Sequence, residues 1–417
     1  MKIVQTLWTL PGLQQKSDKK TLQNRLNGGW LKPKYYYFAL AYSCLSIKKF
    51  YPHIELITDN FGADLLINKL NLPYTKVSLL PDPINDLPTG LWAYPKIYSY
   101  SIQEEPFIHI DNDVFLWNKF PDKIENSELI VQNYEKLTTD YDIALDFMMD
   151  NFTDLPSYIK RGNEYNKYNY QSINAGIFGG NDIKFIKFYT NEAFKFINNN
   201  LLNIKKSPHK TGVLNVVFEQ LTFFQLAKIK NKQIDTLFNK SFYENMVNML
   251  RFEMVPIEYY YIHCLGELKK NEIFCKQIEF RLCNEYPETY AKIANLLNLK
   301  DIQFNNDFKR FEKIQNEFKI CKNRKDLLKL RLTLDKRIIL REKDGCFFIK
   351  DKKEFKELSG WNKYLMFFMG KNISGQQLID KIIESKVGEI FSKRDIEDNI
   401  LALVTQNIVL NNRLLIV

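Results

Sequence analysis

Two carboxylates two positions apart, Asp111 and Asp113 in the run Pro106-Phe-Ile-His-Ile-Asp-Asn-Asp-Val114, are the first residues whose types and spacing suggest chemistry. If the run is a strand, its alternation sends both carboxylates to one face and Asn112 to the other. Like charges held this close are costly unless a cation joins them. Hard divalent ions such as Mn²⁺ or Mg²⁺ take carboxylates together with the phosphate oxygens of a substrate. A second run, Ile262-His263-Cys-Leu-Gly266-Glu-Leu-Lys269, offers an imidazole as a third ligand, a glycine for close backbone approach and a lysine for phosphate oxygens. Taken alone, Asp111 and Asp113 also read as exposed turn carboxylates after a strand. His109 reads as a hydrogen-bonded core histidine, His53 and His209 as surface residues, and Cys264 as a buried thiol. The aromatic clusters 35–38 and 259–261 read as packing.

The elements that must position these groups alternate. Apolar runs at 2–8, 54–59, 74–80 and 106–114 read as strands, with helical runs at 35–47, 63–70 and 92–102 between them. That βαβαβαβ order predicts an α/β fold, a mostly parallel sheet covered by helices on both faces. Open sheets of this kind bind ligands at the carboxyl ends of their strands, where Asp111 and Asp113 fall. Beyond residue 116 the alternation fades. A tyrosine-rich stretch (151–170) leads to a strand with a glycine turn (172–180), a helix (213–227) and a strand (259–263). Residues 266–330 read as charged helices. The window 319–343 holds ten basic residues against three acidic ones, and a domain boundary is expected near 330.

The two chemical segments together resemble the GT-A glycosyltransferases, in particular the glycogenin-like and lipopolysaccharide galactosyltransferase-like group. In that group an Asp-x-Asp and a later His-x-x-Gly-x-x-Lys bind Mn²⁺ and the diphosphate of a nucleotide sugar. Further matches are Ile57-Thr58-Asp59, Trp92, Lys96 and Asn174-Ala175-Gly176, so the resemblance covers residues 1–270. It implies a Rossmann-like GT-A domain in which Asp111, Asp113 and His263 hold Mn²⁺ or Mg²⁺. Lys269 would contact the diphosphate. Thr58, Asp59, Lys96 and Asn112 would lie at the nucleotide sugar, a UDP-sugar being the favoured donor, and Asn174 would line the sugar pocket. The group's proline-tryptophan after the lysine is replaced here by Lys270-Asn271. An inverting reaction would need a carboxylate base, for which Glu219 is the candidate, with Gln220 as a sugar contact. The other reading of Glu219 is a solvated helix-face residue, and a retaining reaction needs no such base.

After the helical connector 271–330, residues 331–417 read as a hairpin turning at Asp344-Gly345, a helix at 356–370, a helix capped by Ser374 and another at 395–405. This order resembles the PqqD-like peptide-recognition element, a small winged-helix module. The resemblance implies that the acidic leader of a ribosomally made precursor peptide adds as a strand along 337–349. A structural appendage is the second reading, and nucleic-acid binding ranks last. The expectation for the whole chain is a metal-dependent glycosyltransferase acting on such a peptide. The alternatives are a glycan or lipid-linked acceptor, or a catalytically silent nucleotide- and peptide-binding protein.

Composition limits the rest. With 417 residues, 45% hydrophobic and 26% charged, the chain is neither a disordered tail nor a fibre. A net charge of +10 suits phosphate-bearing ligands without requiring them. The six cysteines form no C-x-x-C pair, against a disulfide framework or structural zinc, and a reducing cytosol is expected. No apolar run reaches the ~18–20 residues of a membrane span, and residues 1–9 read as a strand, not a signal peptide.

Overall fold

The structure is a computed structural model that describes residues 1–14, 26–136, 139–160, 171–238, 252, 255, 259–299, 323–334, 340–343, 346–351, 354–357, 368, 373–386, 388–410 and 414–416. It forms two compact units: Met1–Leu250, Tyr261–Asn271 and Arg281–Asn298 make the first, Arg251–Tyr260, Glu272–Phe280 and Leu299–Val417 the second.

The first unit is built on a seven-stranded sheet. Its strands are β1 (Lys2–Leu7), β2 (Ile54–Thr58), β3 (Lys76–Leu79), β4 (Phe107–Ile110), β6 (Ile130–Lys136), β7 (Gln171–Gly180) and β8 (Asp235–Thr236), while β5 (Val114–Leu116) lies outside it. The order is β3-β2-β1-β4-β7-β6-β8. Pairings among the first four strands are parallel, as is β6 with β8, whereas β7 runs antiparallel to both β4 and β6. The sheet is therefore mostly parallel, as the alternating pattern predicts, with one reversed strand inside it. The chain winds outward from β1 through β2 to β3 and then returns to β1's other side as β4. That reversal opens a crevice at the carboxyl ends of β1 and β4, where doubly wound sheets bind ligands.

Helices cover the sheet because their apolar residues recur at helical spacing. Ile183–Asn199 buries Phe185, Ile186, Tyr189, Ala193, Phe196 and Ile197, and Asp182 caps it by accepting from the Phe185 N–H at 2.9 Å. Tyr100, from the helix Ala93–Ser101, stacks on Phe178 of β7 with ring centroids 4.3 Å apart, and Phe223 meets Phe178 edge-on at 4.7 Å. This aromatic core lies directly behind the crevice.

The expected strand 106–114 is interrupted. β4 stops at Ile110, Asp111–Asp113 form a turn in which the Val114 N–H donates to the Asp111 carbonyl at 3.1 Å, and β5 pairs with β9 (Tyr261–His263) in a separate two-stranded antiparallel sheet. The two carboxylates thus owe their common direction to a turn, not to strand alternation.

In the second unit, β10 (Arg331–Leu334) lies between β14 (Ile373–Ser374) and β15 (Leu414–Ile416). A second three-stranded antiparallel sheet is formed by β11 (Leu340–Lys343), β12 (Cys346–Asp351) and β13 (Glu354–Glu357). The expected hairpin is the β11–β12 pair. Glu354–Glu357 is a third strand where a helix beginning at 356 is expected, because its residues continue the β12 ladder. Ser374 caps the helix Gly375–Ile383 in a reciprocal box with Gln377. A longer helix, Lys393–Leu410, carries Glu397 and Asp398, which pair with Arg324. The stretches 161–170, 300–322, 337–339 and 358–367, and residues 344–345 where a turn is expected, lie outside the described residues. Among the described residues no helix is long and apolar enough to cross a membrane.

Candidate functional site

A cavity of about 520 Å³ opens at the crevice between β1 and β4. β1 and the residue after it supply Thr6, Leu7 and Trp8, the turn after β4 supplies Asp111, Asn112 and Asp113, and β7 supplies Asn174, Ala175 and Gly176. Lys96, Gln220, His263 and Lys269 complete its polar lining, with Trp30, Tyr36 and Trp92 as aromatic walls.

Main-chain bonds assemble the acidic turn. The Asp111 N–H donates to the Gly176 carbonyl, and the Cys264 N–H donates to the Asp113 carbonyl, both at 3.0 Å. With Val114 opposite His263 in the β5–β9 ladder, these bonds bring Asp111, Asp113 and His263 together, with one ligand atom from each lying within 4.8 Å of the others.

A chain of amides fixes the imidazole. Asn133 Nδ2 donates to the Tyr134 carbonyl at 2.8 Å, which leaves its Oδ1 to accept from Gln132 Nε2 at 2.9 Å. Gln132 Oε1 then faces His263 Nδ1 at 2.7 Å and also accepts from the Tyr261 hydroxyl. A carbonyl oxygen cannot donate, so Nδ1 carries the proton. In the neutral ring Nε2 is bare, 3.3 Å from Asp113 Oδ1. A nitrogen and a carboxylate oxygen at that distance can share either a proton or a metal ion, and an orienting amide behind a ligating histidine is how metal sites fix the tautomer. The donor set, two carboxylates and one imidazole, fits Mn²⁺ or Mg²⁺.

The same carboxylates hold two ammonium groups. Lys96 Nζ lies 2.8 Å from Asp111 Oδ1 and 2.9 Å from Glu219 Oε1, and Lys269 Nζ lies 2.6 Å from Asp113 Oδ2. Burial alone would lower Lys96, but Asp111 and Glu219 outweigh it and hold the ammonium above its ordinary value. Burial likewise pulls Asp113 upward, yet the Lys269 ammonium beside it holds it far below the usual carboxylate range. Asp111 and Glu219 are raised, chiefly by burial.

Glu219 does not stand where a base needs to stand. It is 0% exposed and absent from the cavity lining. Its carboxylate accepts from the Tyr100 hydroxyl at 2.6 Å and anchors Lys96, so it is an internal counter-ion and not an acceptor-side base or a solvated helix-face residue. It lies in a single wide turn, Val217–Leu221, between the helices Thr211–Val216 and Thr222–Ile229, where Tyr189 donates to its loosened carbonyl at 2.9 Å. Such turns often mark functional positions. This one points Glu219 inward while Gln220 reaches the cavity.

Thr58 and Asp59 also lie outside the lining. Thr58 is fully buried. Asp59 is occupied by the main chain: it accepts from the Thr9 N–H at 2.7 Å, the Leu10 N–H at 3.2 Å and the Gly62 N–H at 2.8 Å, tying the end of β1 to the end of β2. Asn112 does line the cavity. Its Nδ2 donates to the Thr6 carbonyl at 2.6 Å, and its buried Oδ1 has no partner. His109 is a core residue, 3.0 Å from the Thr6 hydroxyl and edge-on to Tyr100, and burial followed by Lys96 holds its pKa well down. His53 and His209 are exposed.

Residues 1–296 match a family described as a family of unknown function (DUF6734). The chain belongs to that family. None of the curated proteins matches it. Every group lining the cavity falls within the matched DUF6734 segment.

Three features of this DUF6734 site escape the sequence motifs. Gln132 is the amide behind His263. Tyr36 lines the cavity although its neighbours Tyr35, Tyr37 and Phe38 are packed away, which corrects the expectation that the whole cluster is core. Glu135 accepts from Asn174 Nδ2 at 2.6 Å, and Gln220, with its amide turned to satisfy its surroundings, donates to the other Glu135 oxygen at 3.2 Å. Burial pushes Glu135 up to about 7. A period-two pattern along β6 could have placed Gln132 and Tyr134 on one face, with Asn133 and Glu135 on the other, but no local signal says what either face meets.

Proposed function

We propose that the chain is a GT-A-type glycosyltransferase that uses Mn²⁺ or Mg²⁺ and a nucleotide-diphosphate sugar, with a UDP-sugar as the favoured donor. The observation that carries this reading is the convergence of Asp111, Asp113 and His263 Nε2 beside two lysines in one cavity. When bound, the metal would act as a Lewis acid on the leaving diphosphate. The chain's own residues do the rest. Lys269 offers a second cation to the diphosphate, the unpartnered Asn112 oxygen accepts from a donor group, and Asn174 and Gln220 present amides that Glu135 orients. Trp8, Trp30, Tyr36 and Trp92 give flat apolar faces against which rings can pack.

The test is sugar-nucleotide hydrolysis or transfer, measured with and without added metal. The double variant Asp111→Asn/Asp113→Asn is expected to lose it, and full activity in that variant would end the proposal. For the second unit we propose a PqqD-like winged helix that takes an acidic leader peptide along β11. Support comes from β11's place at the edge of its sheet and from exposed Arg341 and Lys343 on it. Arg341→Glu/Lys343→Glu is expected to weaken leader binding at least tenfold in fluorescence anisotropy without changing donor hydrolysis. Unchanged leader affinity would favour a glycan or lipid-linked acceptor.

A further inference from the structure

Both metal-facing carboxylates are already paired with ammonium groups of the chain. Asp111 Oδ1 holds Lys96 at 2.8 Å and Asp113 Oδ2 holds Lys269 at 2.6 Å. Counting Glu219, which shares Lys96, the cluster has three carboxylates against two ammonium groups when His263 is neutral. A dication entering alone would leave a net positive charge in a largely buried pocket beside two lysines, which is unfavourable where solvent screens poorly. A dication entering with a diphosphate would not, because the diphosphate oxygens can take over the ammonium groups that the carboxylates release.

We propose that Lys96 and Lys269 are resident counter-ions that make dication binding conditional on a diphosphate, so that metal and nucleotide bind with strong positive coupling. This rests on the site reading above and adds what that reading lacks, an order of dependence between the two ligands. Thermodynamic reciprocity then requires the dication to tighten diphosphate binding by the same factor.

The experiment is an electron paramagnetic resonance titration of free Mn²⁺ with the full chain, alone and with UDP. Asp111→Asn/Asp113→Asn supplies the background from chelation by UDP itself. In the unaltered chain, Mn²⁺ is expected to bind at least tenfold more tightly with UDP than without. Lys269→Met, which removes a counter-ion from a carboxylate, should bind Mn²⁺ alone at least threefold more tightly than the unaltered chain and lose most of the coupling. A merely structural lysine would leave metal affinity unchanged or weaker. Because Lys96→Met alone strands Glu219, the companion variant is Lys96→Met/Glu219→Gln, with the same expectation. Equal Mn²⁺ affinity with and without UDP, or no gain in either variant, overturns the coupling while leaving the metal site standing. No Mn²⁺ bound above background under any condition overturns the site reading and the coupling together.

Discussion

At the scale of single residues, the buried pair Lys96–Glu219 carries the sharpest energetic consequence. Truncating Lys96 leaves the fully buried Glu219 carboxylate without a counter-ion, whereas truncating Glu219 leaves Lys96 still paired with Asp111, so Lys96→Ala is expected to cost about 3–5 kcal/mol of stability, read by urea unfolding. Glu135 gives a pH signature. Its folded value of about 7 lies above the ordinary 4.5, so between those values the folded chain holds a proton that the unfolded chain has lost. Stability should therefore fall as pH rises through that window, and Glu135→Gln should flatten the fall. An unchanged slope would show that the carboxylate is not held protonated. The acidic pair and His263 with Lys269 were legible from the sequence because residue type and short spacing specify their chemistry. Glu219 was legible as an interesting carboxylate but not in its role, since only packing tells an inward side chain from a solvated one. Gln132 was not legible at all, because a glutamine in a strand acquires meaning only from the ring it meets.

At the scale of elements, the close approach of β7 to β9 sets the ring's position. A Cβ on Gly176 would lie 2.4 Å from both Gln132 Oε1 and His263 Nδ1. Gly176→Ala must then push the imidazole or its supporting amide aside. The expected result is a metal affinity lowered about 10–100-fold, the usual range for disturbing groups behind a ligand, with circular dichroism little changed. The helix Ala93–Ser101 that carries Lys96 is itself held by Asn215, which accepts from the Ala93 N–H at 2.9 Å and donates to the Gly90 carbonyl at 2.7 Å. Strand and helix order in the first 110 residues was readable from periodicity. The break between β4 and β5 was not, because both halves are apolar and the turn residues between them also suit a strand end. The extra strand Glu354–Glu357 was missed for a related reason: four residues are too few to show a period.

For the molecule as a whole, the family match covers residues 1–296 and contains the cavity, so the proposed donor chemistry belongs to the first unit. Binding of Mn²⁺ and UDP there should slow amide exchange in β5 and β9, and at 100 times the dissociation constant should add about 2.7 kcal/mol of stability. A chelator should reverse both effects. The two-stranded ladder β5–β9 has one more consequence, for synthesis. A nascent chain displays Asp111 and Asp113 long before Tyr261–His263 leaves the ribosome, and until then the imidazole and Lys269 are missing. With the metal site proposed above, capture of the ion would be a late checkpoint of biogenesis: arrested chains ending before residue 261 should stay metal-blind, however much of the large sheet they have already built.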